Sequence, residues 1–295
     1  MILGHSTTCP SCAKSLLRRW FDKSTATGVY GLWRCEECGG GFVLPRPNRM
    51  VLESYYGDEY RREARSIAPD GWRTVLDNEV AYPNSSIDAQ RMTRHCKALA
   101  PGTRFLDIGA GFGFFSRAAV EAGFLVIALE PAPYCREVFL RLNGFEAEPL
   151  MLDLSFAQAH RGTFDAVLMS QVLEHLPALD ETLEAIATLL APGGIAAIAV
   201  PHFRSAVSSL QGRKDMFISP PEHLNFFTST SLQRLFCRHG FSIVQTETVS
   251  RFDPRRIRAR FGVAGIVAIP LLRGALRVAD AVRLGMYLNA YFRRC

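Results

Sequence analysis

The chain has 295 residues, of which 48% are hydrophobic and 21% are charged. This is the composition of an ordinary soluble globular protein, and the length allows one substantial domain with appendages. The net charge of +6 is unevenly distributed: residues 251–295 contain ten arginines and two aspartates, a net charge of +8, so the rest of the chain is close to −2. A body without a basic stripe argues against a general nucleic-acid-binding surface.

Two matched cysteine pairs stand near the start of the chain. Two residues separate Cys9 from Cys12 and Cys35 from Cys38, and 22 residues lie between the pairs. Two such pairs can enclose a tetrahedral Zn²⁺ in a closed site, which is the pattern of a zinc ribbon. Because a closed site has no open coordination position, we expect this zinc to hold structure. Two disulfides are the alternative, and the lack of an apolar signal sequence argues against them.

The remaining chain predicts alternating strands and helices. After a short aromatic helical segment at 50–62, helices are expected at 85–99, 115–122, 134–142 and 179–190. Apolar runs predict strands at 104–108, 125–129, 145–152, 164–169 and 195–200, and closing antiparallel strands from 242–248 onward. This alternation favours a parallel sheet covered by helices on both faces.

A glycine-rich turn follows the strand predicted at 104–108. Its residues are Asp107, Ile108, Gly109, Ala110, Gly111, Phe112 and Gly113. Glycines at a strand end let a ligand approach the backbone closely, at the edge of the sheet where α/β folds bind ligands. Glu130 ends the next strand and precedes Pro131. A carboxylate about twenty residues after the first glycine can accept both hydroxyls of a ribose, so the pattern predicts a nucleoside-binding site.

A nicotinamide dinucleotide is the rival ligand for such a turn. Its fingerprint spaces the glycines G-x-G-x-x-G and places a pyrophosphate at the helix N-terminus. Here the spacing is G-x-G-x-G, and Asp107 would bring a negative charge close to that pyrophosphate. A ligand that carries an ammonium group would be attracted by the same carboxylate.

The turn reads as an acid, one further residue and then Gly-x-Gly-x-Gly. This pattern resembles the first motif of the class I S-adenosylmethionine-dependent methyltransferases. Segments 164–177, 190–194 and 221–227 are similar to later elements of that family, and the resemblance covers roughly residues 45–249. It implies that Asp153 accepts the adenine amino group, that the backbone amide of Leu154 meets the ring, and that Ser170 begins the loop under the cofactor. The implied cofactor-binding set is Asp107, Gly109, Ala110, Gly111, Gly113, Glu130, Pro131, Asp153, Leu154 and Ser170. Asp153 could equally cap a helix.

The resemblance also implies an architecture. We expect an α/β fold with a Rossmann-like, doubly wound, seven-stranded methyltransferase sheet, an N-terminal zinc ribbon and a helical C-terminal tail. The predicted domains are the ribbon at 1–48, the methyltransferase domain with its N-terminal helical segment at 49–250, and a basic amphipathic tail at 251–295.

Methyl transfer to a hydroxyl requires a base that removes the acceptor proton. His223 and His175 are the candidates, because they lie in the segments expected to cover the acceptor and to follow the cofactor loop. His175 could instead cap the helix near residue 179, and His223 could simply bond a backbone carbonyl. Glu174 could bind a divalent ion with a neighbour, but one acid does not define a metal site.

The tail combines apolar and basic residues. The apolar run at 261–272 is shorter than the roughly twenty residues that span a bilayer. Beyond it, one predicted helical face carries Leu272, Leu276, Ala279, Val282 and Met286, and the arginines lie on another. Such a helix suits the surface of an anionic membrane. The alternative is a helix packed on the domain or in a dimer.

The sequence therefore predicts a cytoplasmic methyltransferase, peripheral at the inner face of the membrane if the tail binds lipid. Its cofactors would be S-adenosylmethionine and structural Zn²⁺, and its acceptor a small molecule, sugar or lipid-linked compound, methylated on oxygen. The alternatives are a nucleic-acid-modifying methyltransferase that uses the ribbon to bind substrate, a sugar C-methyltransferase, and a non-catalytic scaffold. Nucleic acid is disfavoured because residues 170–173 lack the Asn/Asp-Pro-Pro-aromatic motif of base-amine methylases.

Overall fold

A computed structural model describes residues 8–48, 50–52, 83–252 and 254–295. In these ranges the chain forms two sheets, one near the N-terminus and one in the centre of the molecule. Of the helical segment predicted at 50–62, residues 50–52 are helical and the others lie outside the described residues.

The first sheet is antiparallel and carries the cysteine pairs at its end. Strands β1 (Leu17–Thr25), β2 (Gly28–Cys35) and β3 (Gly41–Leu44) follow one another, and β8 (Asn225–Phe226) pairs with β3 from much later in the chain. Its buried apolar core contains residues of both origins, namely Tyr30, Leu32, Val43, Phe203, Ile218, Leu224 and Phe226. The N-terminal sheet is therefore built partly from chain that lies between strands of the central sheet.

The central sheet has the strand order β5-β4-β6-β7-β10-β9. Its parallel strands are β4 (Arg104–Ile108), β5 (Leu125–Leu129), β6 (Phe164–Ser170) and β7 (Leu190–Pro201). Its antiparallel strands are β9 (Phe241–Val249) and β10 (Tyr287–Arg294). Along β6, Val167 and Met169 enter one core cluster and Ala166 and Leu168 the other, so both faces are covered and the strand is an unbroken apolar run.

Eight α-helices are described along the chain. They are α1 (Pro83–Leu99), α2 (Phe114–Glu121), α3 (Pro133–Asn143), α4 (Leu154–Ala159), α5 (Leu179–Leu189), α6 (Ala206–Gln211), α7 (Ser229–Arg238) and α8 (Pro254–Ala281). Short 3₁₀ turns occur at Leu173–His175 and Gly212–Lys214. The predicted α/β architecture, with helices beside a largely parallel sheet, is confirmed. The domain boundaries after residues 48 and 250 stay a prediction.

The strand predicted at 145–152, the third along the chain, is absent from the described central sheet, so the sheet has six strands in place of the predicted seven. This segment makes a single parallel bridge, between Leu129 and Glu148. Pro149 follows that bridge at once and has no backbone N–H to continue a ladder. The segment therefore runs beside β5 without becoming a strand of the sheet, which has six described strands.

The tail is not entirely helical, because its last residues form β10 between β7 and β9. The side chains of Leu288, Ala290 and Phe292 enter one core cluster and Tyr291 enters the other. This alternation has a period of two, as expected for a strand with both faces buried. The segment needs β7 and β9 on its two sides to become a strand, and neighbouring strands are not visible in the tail sequence alone.

Helix α8 is an excursion between the two last strands of the sheet. The strands β9 and β10 are paired at Val249 and Tyr287, so the chain leaves and re-enters the sheet at adjacent points. The helix is interrupted at Gly262, whose φ is 55°. Within the described ranges, no helix combines the length and the apolar content that crossing a membrane demands.

Candidate functional site

The glycine-rich turn joins β4 to α2 at the carboxyl edge of the central sheet. The backbone N–H groups of Gly109 and Ala110 donate to the carbonyl of Leu129, at 2.8 and 3.0 Å. Gly109 has a φ of 69°, and a Cβ there would lie 2.6 Å from Cγ2 of Val172. Gly111 has a φ of 57° but a Cβ there would meet nothing within 4 Å. The turn is therefore closed against the protein on one side and open at Gly111, where a ligand could approach its backbone.

Glu130 is almost fully buried beside this turn. Its Oε2 accepts the backbone N–H of Gly111 at 2.8 Å, and its Oε1 accepts that of Ala132 at 2.8 Å. Arg136 holds the same segment by donating to the carbonyls of Glu130 and Pro131. The two carboxylate oxygens are thus fixed at the end of β5, next to the turn at the end of β4.

Asp107 lies inside the strand and is also almost fully buried. Its Oδ2 accepts a hydrogen bond from the hydroxyl of Ser116 on α2, at 2.7 Å. Burial raises the pKa of Asp107 to about 7; the Ser116 hydrogen bond opposes this rise and the charge of Glu130 adds to it. A cationic ligand near these two acids would favour the ionised carboxylate.

The other predicted cofactor residues are placed on neighbouring strand ends and loops. Asp153 is the N-cap of α4, where its Oδ1 accepts the backbone N–H of Phe156 at 2.7 Å. Leu154 opens the same helix and is exposed. Ser170 ends β6, the neighbour of β4. No contact described for Asp153 or Leu154 joins them to the glycine turn, and their predicted adenine roles stay predictions.

Glu174, His175 and His223 form a second group of ionisable side chains. Their candidate ligand atoms all lie within 4.8 Å of one another. Nε2 of His175 is 3.9 Å from Oε1 of Glu174, and the rings of the two histidines are 4.8 Å apart. We refer to these three residues as the histidine–glutamate cluster. The sequence analysis treats Glu174 only as a possible ligand of a divalent ion. An acid among the apolar residues that follow β6 is the signal that points to a larger role.

Backbone hydrogen bonds hold the two segments of this cluster together. The N–H of Leu224 donates to the carbonyl of Glu174 at 2.8 Å, and the side-chain amide of Asn225 donates to the carbonyl of Leu176 at 2.8 Å. These bonds join the 3₁₀ turn after β6 to the residues that begin β8. Because β8 belongs to the N-terminal sheet and begins two residues after His223, the position of His223 depends on that sheet.

Each histidine has its Nδ1 beside a backbone carbonyl. Nδ1 of His175 is 2.8 Å from the oxygen of Glu222, and Nδ1 of His223 is 2.7 Å from the oxygen of Phe217. Since a carbonyl only accepts, Nδ1 carries the proton in both rings, and Nε2 is the basic nitrogen of a neutral ring. His175 thus bonds a carbonyl in place of the helix cap considered above. His223 also bonds a carbonyl, and this bond directs its basic nitrogen to Nε2.

The electrostatics of the cluster favour neutral groups. Burial lowers the pKa of His223. Burial raises the pKa of Glu174 to about 8, and the charge of Glu222 adds to the rise. Neither carboxyl oxygen of Glu174 has a hydrogen-bond partner among the described residues. A buried carboxyl without partners is costly to the fold, which is typical of a group kept for function.

The four predicted metal ligands come together at the end of the N-terminal sheet. All four cysteines are buried free thiols, with sulfur separations of 3.6 Å for Cys9 to Cys38 and for Cys12 to Cys35. A disulfide has a sulfur separation of about 2.05 Å. Four sulfurs at about 2.3 Å from a tetrahedral Zn²⁺ lie about 3.8 Å apart, so the observed spacing fits the metal.

Backbone amides support the same conclusion. The pKa of the Cys9 thiol is lowered, first by the adjacent Cys38 sulfur, whose own pKa the same contact raises, and also by the backbone N–H groups of Cys12 and Ser11. Amides directed at sulfur favour the thiolate, which is the form that binds metal. The predicted four-cysteine cluster is confirmed, and its chemistry is compatible with structural zinc.

The fold and this geometry agree with a comparison of the chain with protein families. The model Methyltransf_23, described as "Methyltransferase domain", matches residues 64–246, which is more than half of the chain. The chain belongs to this family. It is a class I S-adenosylmethionine-dependent methyltransferase, as predicted.

Two curated relatives of this methyltransferase bear the name "Ubiquinone biosynthesis O-methyltransferase". The protein of Xanthomonas campestris pv. campestris (strain B100) is 29% identical over 220 residues, covering 66% of this chain and 91% of the relative. The protein of Xanthomonas oryzae pv. oryzae (strain PXO99A) is 36% identical over 141 residues, covering 41% and 58%.

Solved structures share the fold of this methyltransferase. A SAM-dependent methyltransferase from Archaeoglobus fulgidus is 18% identical with a TM-score of 0.50, covering 71% of this chain and 94% of that one. A "possible histamine N-methyltransferase" from Thermotoga maritima is 16% identical with a TM-score of 0.50, covering 76% and 97%.

The burial of Glu174 predicts an unusual pH dependence of stability. Its pKa is higher in the folded than in the unfolded chain, so its contribution is fully present below the ordinary carboxyl pKa and is lost as pH rises toward 8. Glu174→Gln cannot ionise and should raise the free energy of unfolding by up to about 3 kcal/mol at pH 7, with little effect near pH 4.5.

Urea unfolding at both pH values measures this difference. Glu184→Gln, an exposed change on α5, is the matched control and should alter stability by less than about 0.5 kcal/mol. A Glu174→Gln protein that is less stable than the wild type at pH 7 would contradict the prediction.

Proposed function

We propose that this methyltransferase moves the methyl group of S-adenosylmethionine to a hydroxyl of a small-molecule, sugar or lipid-linked acceptor. The observation that carries the proposal is the placement of two sites after adjacent parallel strands: the glycine turn with Glu130 after β4 and β5, and the histidine–glutamate cluster after β6. The names of the two Xanthomonas relatives, both O-methyltransferases, support an oxygen acceptor.

The glycine turn and its acids fit the cofactor. Glu130 presents a fixed carboxylate for the ribose hydroxyls, and the open space at Gly111 admits the nucleoside to the backbone. The buried carboxyl of Asp107 favours the positive charge of the methionine portion. Asp153 and Leu154 would complete the adenine end, and Gly109, Ala110, Gly113, Pro131 and Ser170 shape the site. When bound, the cofactor supplies a methyl group on a positively charged sulfur.

His223 is the proposed base. The carbonyl of Phe217 holds the proton on Nδ1, so Nε2 can accept the proton of the acceptor hydroxyl as its oxygen bonds the methyl carbon and the carbon–sulfur bond breaks. His175 lies beside it and is the second candidate. Glu174 is protonated at neutral pH and leaves the cluster without a fixed negative charge. Positioning supplies much of the acceleration in such a displacement.

Calorimetric titration tests the cofactor site, and a tritiated-methyl assay tests the base. S-adenosylhomocysteine should bind the wild type, and Glu130→Ala should weaken binding by about 3 kcal/mol, because two hydrogen bonds to a charged acceptor are lost. His223→Gln should keep this affinity but lose methyl transfer to acceptors in a small-molecule extract of the source cells. The wild-type rate should fall only below the ordinary histidine range, because burial lowers the pKa of His223.

His239→Gln is the matched control for the base, since this histidine lies at the C-terminus of α7, paired with Asp180. It should retain activity. Tight NADH binding in place of S-adenosylhomocysteine would refute the cofactor assignment. Mass spectrometry of the methylated product separates O-methylation from the C-methylation alternative, and transfer to RNA in preference to small molecules would support the nucleic-acid alternative.

We also propose that the four-cysteine cluster holds one structural Zn²⁺. Protein purified without added metal should contain about one zinc per chain, and Cys35→Ser should lose it. S-adenosylhomocysteine affinity should then change little, whereas acceptor methylation should fall, because the N-terminal sheet pairs with β8 just after His223. Elemental analysis and the two assays measure these effects. Intact disulfides without metal would contradict the proposal.

The tail supports a further proposal, contact with an anionic membrane. The face predicted from the sequence is exposed only at Val282: Leu272, Leu276 and Ala279 are partly covered, and Asp280 anchors the helix by accepting from Ser250. Val282 continues a second apolar line with Leu271 and Val278, and these three residues are 58–74% exposed. It has helical spacing and lies among exposed arginines, including Arg273 and Arg277, which form no ion pair with described residues.

Vesicle sedimentation tests this contact. The wild type should sediment with phosphatidylglycerol vesicles at low salt, be released at high salt and ignore phosphatidylcholine vesicles, since each nearby arginine contributes about 1 kcal/mol with anionic lipid. Leu271→Asp with Val278→Asp should abolish sedimentation without affecting S-adenosylhomocysteine binding.

Truncation at residue 250 is unsuitable as a control because it removes β10. A short turn joining Val249 to Tyr287 deletes only the excursion, since these residues are paired neighbours. Equal sedimentation of this deletion variant and the wild type would contradict the proposal, and dissociation of a dimer by the Leu271→Asp, Val278→Asp protein would assign the helix to self-association.

A further inference from the structure

Three arginines have no acidic partners among the residues that the structure describes. Arg18 is on β1, Arg34 on β2, and Arg204 follows β7. We call them, with the rings of Trp20 and Phe203, the arginine patch. The methyl-transfer chemistry proposed above assigns none of these side chains a role.

Arg34 is held between two aromatic rings. Its guanidinium carbon lies 3.5 Å from the ring centre of Trp20 and 4.9 Å from that of Phe203. Its Nε is buried and has no hydrogen-bond partner among the described residues. The guanidinium is therefore partly dehydrated and fixed in orientation before any ligand arrives.

The three charges repel one another. Arg18 and Arg34 are directly opposite in the β1–β2 ladder, so their side chains share one face. Like charges in this position destabilise a sheet. In the part of the chain that the structure describes, no carboxylate forms an ion pair with Arg18, Arg34 or Arg204. An anion bound between them would remove this repulsion.

The arginine patch lies next to the proposed base. Phe203, which contacts the guanidinium of Arg34, also packs against Phe226 with ring centres 5.5 Å apart. Phe203 and Phe226 line a small cavity together with His223 and Asn225. A single aromatic side chain thus connects the arginine patch to the cavity in which His223 lies.

We propose that the arginine patch binds a phosphate or diphosphate ester group of the acceptor and so places the acceptor hydroxyl at His223. The inference rests on the proposed function and narrows its substrate class to phosphorylated small molecules, either soluble or lipid-linked. Guanidinium groups bind phosphate through paired charge-assisted hydrogen bonds. The flat faces of Trp20 and Phe203 offer contact to the group that carries the phosphate.

Calorimetric titration with inorganic pyrophosphate tests the site in the full-length protein. The wild type should bind pyrophosphate, with an affinity that falls as salt rises, and Arg34→Gln and Arg204→Gln should each weaken binding at least tenfold. Arg19→Gln is the matched control, because Arg19 neighbours Arg18 on β1, belongs to the opposite face and is paired with Asp22. It should leave affinity unchanged. S-adenosylhomocysteine binding should be the same in all four proteins.

UDP-glucose and farnesyl diphosphate, titrated in the same way, distinguish a soluble from a lipid-linked source of the phosphate. Absence of pyrophosphate binding, or equal loss in Arg19→Gln, would overturn the inference. Tighter binding of a single-stranded RNA oligonucleotide through Arg34 would overturn it in favour of nucleic acid. Failure of S-adenosylhomocysteine to bind the wild type would refute the proposed function and is independent of the pyrophosphate result.

Discussion

The short pairing of β3 with β8 couples the cysteine cluster to the candidate site. It has two residue pairs and joins residues 41–42 to residues 225–226. Arg46 reinforces it through Leu224 and Asn225, and the hydroxyl of Thr228 donates to the carbonyl of Cys38. Because β8 begins two residues after His223, the cysteine cluster helps to position the proposed base. The zinc proposed for that cluster would in this way influence catalysis without touching the substrate.

The candidate site contains ionisable side chains whose burial is unfavourable, and the surrounding structure holds them in place. Glu174 has two buried oxygens without described partners, and Asp107 is raised in pKa inside a strand. Each would be more stable as a neutral or exposed group. Apolar packing in the six-stranded sheet and its two core clusters stabilises the fold and offsets this cost. A stable scaffold that carries less favourable residues at its functional site is the expected arrangement.

Opposite charges occupy opposite ends of the proposed reaction path. The cofactor end has the buried carboxyls of Asp107 and Glu130, suited to a positively charged donor. The acceptor end has the arginine patch, suited to an anionic acceptor. The histidine–glutamate cluster between these two kinds of surroundings is kept neutral by burial, as proton transfer from a hydroxyl requires.

Features that depend on neighbours in the chain can be predicted from the sequence. The parallel strands, the glycine turn with Asp107 and Glu130, and the two cysteine pairs all follow from local spacing and apolar periodicity. Pro149 explains why the segment at 145–152 is not a strand, although its apolar residues suggested one. Features that need distant partners follow only from the folded chain. β10 becomes a strand because β7 and β9 flank it, and Leu271 is exposed because Asp280 turns the opposite side of α8 toward Ser250. Glu174 has a raised pKa because the fold buries it, and it lies next to His223 although the two residues are about fifty positions apart in the chain. Burial and proximity of this kind leave no periodic pattern in a sequence.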